Sequence, residues 1–503
     1  MHRPSRPEAA FAVELDAVRP DLSAPYAAAL PGARAAVLSR LWRALAHEPL
    51  PWVARREWGR EGLTLWLADG RRLHGPHADP YATAAYAAEV GLDGRPCDDP
   101  AGLITALGVP HGSAFAAELA NSVASLALSR AGQPATDRAP VTGWEWEQRV
   151  VDGHPYHPNC RARPGFSAAE QLAYGPEHRP VVELGSAAVG DCLITGEWPA
   201  WLRDGGRVLI PVHPWQADHV LDTPSHKGPT AHPLMSLRTL ALPDGPHIKT
   251  ALSTRLTSSV RDISVYSITM SATVSAFMET IAARTDGLLD VTRTLGAVSA
   301  GSPDLAAVVR EAPERYAGTG ERVVPVAALA TTELPRSPGW LADFARLALA
   351  AGLRLLDLGV ALEAHGQNLL VVLSATGAPV RLVYRDLADI RVSPARLARH
   401  GIAVPELAGR IVTDDVTALR RKLFGSLVGG ALGATAGSSA GLREALSTAV
   451  RDLPRTADLA ALLEEPLPTK ALTLMRLSPE TPGDIWARLP NPVTSPDISA
   501  RSF

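Results

Sequence analysis

Two β-forming runs, LLVVL (369–373) and VRLVY (380–384), flank a turn at SATGAP (374–379) and read as a hairpin. Asn368 stands just before the first strand and Asp386 just after the second. Antiparallel neighbours lie about 4.8 Å apart, so pairing brings an amide oxygen and a carboxylate to one mouth, with Glu363 and His365 upstream. Hard oxygen ligands of this kind suit Mg²⁺ bridging nucleotide phosphates, which makes Asp386, Asn368 and Glu363 candidate metal ligands. The same residues could instead be structural, with His365 and Asn368 capping a helix end and Asp386 paired to Arg385 or Arg391. Kinase-like phosphotransferases place Asn and Asp around a similar hairpin. The pattern signals nucleotide and metal more than one reaction.

A second candidate is IKTALSTRLTSSVRDIS (248–264). In an extended chain Lys249, Arg255, Thr257, Ser259 and Arg261 share one face, because alternate residues point the same way. Cations and hydroxyls in a strip can grip phosphate or carboxylate; a solvated edge strand is the plainer alternative. The loop HPYHPNCRARPGF carries His154, His157, Arg161 and Arg163. A proline after each histidine keeps both off a helix, and only Cys160 stands at ligand spacing, so anion binding or substrate orientation is favoured over zinc. His213, in PVHPW, reads as a structural histidine at a strand end. Walker-type, dinucleotide-binding and Gly-x-Ser-x-Gly signatures are absent, so a nucleotide site must be built another way.

The elements that would position these groups follow from pattern. Residues 34–47 and 113–130 have helical spacing, while Leu63, Leu65 and Leu67 alternate ahead of Asp69-Gly70, a hairpin turn signal. RVLIPVHPW (207–215) reads as a buried strand ending in a turn, and 273–283 as helix. A long helix from Pro338 to Leu362 opens with Ser337 as N-cap. The remainder reads as mostly helical, with a flexible Gly/Ala/Ser stretch near 429–440. The chain has 503 residues and a net charge of −3, which allows roughly three domains and gives no basic footprint for nucleic acid. Three widely spaced cysteines fit a reducing compartment. The Arg-rich start lacks an apolar core, and no apolar run reaches the roughly 20 residues needed to cross a bilayer, so a soluble, cytoplasmic protein without membrane partners is expected. Lysine occurs only at 227, 249, 422 and 470; a compact cation kept in an Arg-biased chain invites attention.

In order, GHPYHPNCRARPGFS, YGPEH (174–178), IPVHPWQ (210–216), KTALSTRLTSSVRDIS, EAHGQNLLVVL, YRDLADIR and KALTLMRL (470–477) resemble the aerobactin-synthetase-like IucA/IucC family, the siderophore synthetases that work without nonribosomal peptide synthetases. The resemblance runs from about Glu147 to Asn491. It implies an α+β fold shaped as a cupped hand, with a thumb at 1–150, fingers at 151–300, and a palm at 301–503 that carries the kinase-like hairpin and an FhuF-like region, usually as a homodimer. It implies ATP and Mg²⁺, held by Thr257, Ser259, Arg261, His365, Gln367, Asn368 and Asp386, with Glu363 as a further metal ligand. Catalytic roles fall to Lys249, His365 and Arg284, the last placed by spacing, and His154, His157, Arg161 and Arg163 would bind substrate. The implied reaction adenylates a carboxylic acid, citrate-like or a dicarboxylate derivative, and condenses it with an amine or alcohol. Alternatives are a kinase-like phosphotransferase or a degenerate homologue that binds a pathway intermediate. Arg161 replaces a common lysine and Asp262 a frequent threonine, which leaves the substrates open.

Overall fold

The computed structural model describes residues 6–134, 138–221, 226–257, 259–407 and 409–494. Its N-terminal core is built by two antiparallel helices, Ser23–His47 and Gly112–Ala131, that bury Leu38, Leu41, Trp42, Phe115, Leu119 and Val123. A five-stranded meander covers this core, with Leu63–Leu67 pairing to Arg72–Gly75 across the Asp69-Gly70 turn. Cys160, Ala168 and Leu477 join the same core from distant parts of the chain.

The middle of the chain forms a nine-stranded sheet among the described residues. At its centre Ala306–Arg310, His247–Thr250 and Thr239–Ala241 run side by side, all antiparallel. Val308 lies opposite Lys249, and Arg310 opposite both His247 and Thr294. Because side chains alternate along a strand, Lys249, Val308, Arg310 and Thr294 point to one face. The helix Val265–Ala282, with the Ser264 side chain accepting from the Ser267 amide as N-cap, packs against that sheet.

The expected hairpin is present as Leu369–Leu373 paired with Pro379–Tyr384, inside a four-stranded sheet. The helix before it runs from Pro338 to Leu358 and stops at Gly359, whose φ of 104° is left-handed. The reading to Leu362 fails because Val360–Ala361 form a strand instead, pairing with Arg391–Val392. The stretch read as flexible is ordered: Phe424–Leu432 is a buried π-helix, its glycines admitting close neighbours. At Gly425 a Cβ would come within 2.8 Å of Trp486. The end of the chain is mostly helical, as read, with one strand pair, Leu467–Lys470 with Trp486–Leu489. All three cysteines are free, and among the described residues no helix is long and apolar enough to cross a membrane.

Candidate functional site

The central sheet and the hairpin mouth meet at one ion pair. Lys249 Nζ donates to both carboxylate oxygens of Asp386, at 2.9 and 2.8 Å. Asp386 reaches it from a backbone with φ 72° and ψ 81°, a conformation that costs an L-residue energy and persists where the surroundings impose it. Arg238 and Arg310 stand beside the pair, and Arg310 has a buried Nε with no partner. Three cations thus stand with two carboxylates, Asp386 and Asp262. Burial would raise the Asp386 carboxyl, yet Lys249 and Arg310 hold it well below the usual carboxylate range. Burial lowers the Lys249 amine to about 8 even with Asp386 opposing that shift, and lowers Arg238 and Arg310 to about 10 each.

These groups form one end of an open pocket. Thr294, Val308 and Lys249 give its floor, the Tyr266, Ser267, Met270 and Val274 side of the Val265–Ala282 helix gives a wall, and Leu387 and Ile411 close it. A buried surplus of positive charge next to hydroxyls and apolar side chains suits a compact polyanion with a hydrophobic part.

On the other side of Asp386, Leu252–Leu256 and Ser259–Arg261 pair as a short hairpin, so the strip expected from Lys249 to Arg261 is broken into separate strands. Thr257 takes the turn at φ 56°, Ser259 is exposed, and Ser258 lies outside the described residues. The Arg261 guanidinium donates to Leu256 O at 3.1 Å and Thr257 Oγ1 at 3.0 Å. It is half-buried, and it lies within the fields of Asp386 and Glu363.

The Leu369–Tyr384 pairing places Asn368 and Gln367 at the mouth, where the Arg385 amide donates to Asn368 O at 3.0 Å. Arg385 is not the partner of Asp386. Its guanidinium donates to Gln367 O and, at 2.6 Å, to buried Glu147. Nor do His365 and Asn368 cap a helix; they sit in the turn leading into the strand. Glu363 Oε1 pairs with Lys470 at 2.7 Å and lies 3.6 Å from Lys422, much as Asp386 is paired with Lys249. Among the described residues no group of three or more His, Cys, Asp or Glu could hold a metal ion. The Asn368 amide nitrogen donates to Glu363 O at 3.3 Å, leaving its oxygen available.

The HP loop divides in two. His154 is exposed, and His157 and His365 are near enough for their fields to act on its ring. His157 packs edge-on against His154, with ring centroids 5.9 Å apart. Arg161 and Arg163, expected to bind substrate, are instead turned into the protein. Arg163 donates to fully buried Glu177 at 2.9 Å, and Arg161 donates to the Val150 and Val151 carbonyls. Arg284 departs further from expectation. It follows the helix whose first turns line the pocket, ten residues and about 15 Å of rise beyond Val274. There it is exposed and donates to His400 O. Arg238 and Arg310 stand where Arg284 was expected. Sequence reasoning missed both, although a cation at the end of the apolar run AAVVR was a readable signal for Arg310.

Residues 142–200 and 193–331 match the IucA / IucC family, and residues 339–484 match the ferric iron reductase FhuF-like transporter family. The citryl-spermidine/3,4-dihydroxybenzoyl-citryl-spermidine:spermidine ligase of Bacillus anthracis is 26% identical over 49% of this chain and 51% of its own length. The chain thus spans about half the length of that curated relative. Among solved structures, the petrobactin biosynthesis protein AsbB of Bacillus anthracis superposes with a TM-score of 0.75 at 18% identity, covering 94% of this chain and 98% of that one. ATP-bound aerobactin synthetase IucA of Klebsiella pneumoniae gives 0.69 at 18% identity, over 92% and 99%. These likenesses establish a mixed α+β fold of the same kind.

Proposed function

We propose, from the premise that the chain belongs to the IucA / IucC family, that it is an ATP-dependent ligase that adenylates a carboxylic acid and joins it to an amine or alcohol in siderophore or related biosynthesis. One observation carries this reading: the Lys249–Asp386 contact joins a cationic sheet face to a hairpin mouth of the nucleotide-binding type. Phosphates and an acid could then share one pocket.

In the first step a carboxylate oxygen of the acid attacks the α-phosphorus of ATP, the bond to the β-phosphate oxygen breaks, and pyrophosphate leaves. In the second, the nucleophile's lone pair attacks the acyl carbon, its proton is lost, and the acyl–oxygen bond breaks to release AMP. Both steps call for fixed charge and orientation. Lys249, Arg238 and Arg310 offset the charge of the acid and of the α-phosphoryl oxygens. Arg261, with Thr257 and Ser259 on its hairpin, and His365, Gln367 and Asn368 at the mouth, surround the nucleotide. A Mg²⁺ ion carried on the triphosphate would be held by Asp386 and the Asn368 oxygen and would neutralise phosphate charge. A citrate-like acid and a polyamine fit the naming of the Bacillus anthracis relative, and a homodimer with thumb, fingers and palm follows the family.

The test is exchange of labelled pyrophosphate into ATP across a panel of citrate, citryl-amides and dicarboxylates, followed by AMP release on adding amines. ADP release in place of AMP would establish a phosphotransferase. Binding of ATP without either product would establish a degenerate homologue.

A further inference from the structure

Four histidines share one local arrangement. His154 Nδ1 accepts the backbone N–H of Tyr156 at 3.1 Å and of His157 at 3.0 Å. His157 Nδ1 accepts from Asn159 at 3.0 Å, His213 Nδ1 from Trp215 at 3.1 Å, and His365 Nδ1 from Gln367 at 3.3 Å. Each ring folds onto the amide two residues ahead. For the first three the intervening residue is proline, which has no N–H of its own to compete; for His365 it is Gly366.

A backbone N–H can only donate, so each Nδ1 presents its lone pair and a neutral ring must carry its proton on Nε2. Protonating the ring would place a hydrogen on Nδ1 directly against the amide hydrogen. For His157 burial disfavours the charged form as well, taking it to about 3. Two of the four, His157 and His213, have Nε2 shut away from solvent without a partner. The other two, His154 and His365, are not shut away in this manner; each lies within the other's electrostatic field, and Arg261 lies within that of His365.

We propose that His154 and His365 are locked in the Nε2–H tautomer by their backbone and bind an anionic oxygen of the substrate as neutral donors, so that neither is a general base or a metal ligand. A base or a zinc ligand needs a lone pair on the exposed nitrogen, and here that nitrogen carries the hydrogen. A phosphoryl or carboxylate oxygen is the matching partner, and Arg261 supplies the charge that the imidazoles lack. Naming the anion as the α-phosphoryl or acyl oxygen rests on the adenylating reading above; the tautomer does not.

The direct test is ¹⁵N spectroscopy of the full chain labelled at histidine, with signals assigned through His154→Gln and His365→Gln. Nδ1 without hydrogen and Nε2 with hydrogen at both positions is the expected result, and an Nδ1–H tautomer at either overturns the proposal. The functional test compares glutamine with alanine, since the glutamine amide can donate near the Nε2 position but cannot act as a base. In pyrophosphate exchange the Gln variants should stay within about tenfold of the native chain, whereas His→Ala should lose about 10²–10³-fold, the scale of one oxyanion donor. Gln variants as impaired as Ala would overturn it. Should no acid support exchange, the adenylating reading fails, and titration with ATP alone still decides the donor role. Affinity kept by Gln and lost by Ala supports it; equal loss overturns it.

Discussion

Arg385→Met should both destabilise the protein and loosen the mouth of the site. The native guanidinium donates to Glu147 Oε1 at 2.6 Å and to Gln367 O from two nitrogens, at 3.0 and 2.8 Å. The pair is 3% and 2% exposed, so removing one partner leaves a buried charge rather than a solvated one. Breaking such a pair costs about 3–5 kcal/mol. Glu147 keeps one compensation, the Met235 amide at 3.0 Å on its other oxygen, which places the expectation at the low end, about 3 kcal/mol. Urea denaturation should show this as a lower midpoint with an unchanged slope. Because the substitution frees Gln367 O beside Asn368, ATP affinity should fall in parallel. Glu147→Leu on its own should be harmful too. The double variant should then lose less than the sum of the singles, by about 1–3 kcal/mol, as expected for contacting charged partners. A single-variant cost below about 1 kcal/mol, or strict additivity, would refute the view that this ion pair pins the hairpin.

Arg310→Ala should reduce acid-dependent pyrophosphate exchange by roughly 10–100-fold, the worth of one charge-assisted contact, whereas Arg284→Ala should stay within about twofold if its exposed position is inert; the reverse order would restore the spacing argument. The Lys249 amine should titrate near 8, against an ordinary 10.5, when its acylation is followed by mass spectrometry across pH. Asp386→Asn should move that midpoint lower, because the carboxylate raises it; an upward shift would refute the pairing. The sign for stability follows: the folded chain holds this proton less tightly than the unfolded one, so Lys249 opposes folding below about pH 8 and the penalty fades as pH rises towards 10.5. Glu363→Gln should leave the Mg²⁺ requirement of exchange nearly unchanged, while Asp386→Asn should raise it at least about tenfold, as loss of an anionic metal ligand would. Equal effects would return Glu363 to the metal.

What was legible in the sequence was local. The 369–384 hairpin, its Asn and Asp at the ends and the capped helix before it follow from alternation, a turn and an N-cap within about 50 residues. What was not legible was contact between distant segments with equivalent composition. Arg161 and Arg163 share a polar loop with His154, and nothing in the loop tells a cation aimed at substrate from one buried against Glu177. The partner of Asp386 lies 137 residues away, so local reasoning offered Arg385 or Arg391 instead. The rarity of lysine was the better guide, since three of the four lysines converge on acids at this site: Lys249 on Asp386, Lys470 on Glu363, and Lys422 on Asp389 and Glu363. That convergence changes the physical problem a ligand faces. The carboxylates of the mouth are already neutralised by ammonium groups, so a triphosphate cannot simply fill a positive hole there. On the proposed reading it would take Lys249 over from Asp386, which would release that carboxylate to a cation brought by the nucleotide. Binding at this mouth would therefore be an exchange of partners, whereas Arg310, whose buried Nε has no hydrogen-bond partner, would meet an anion without one.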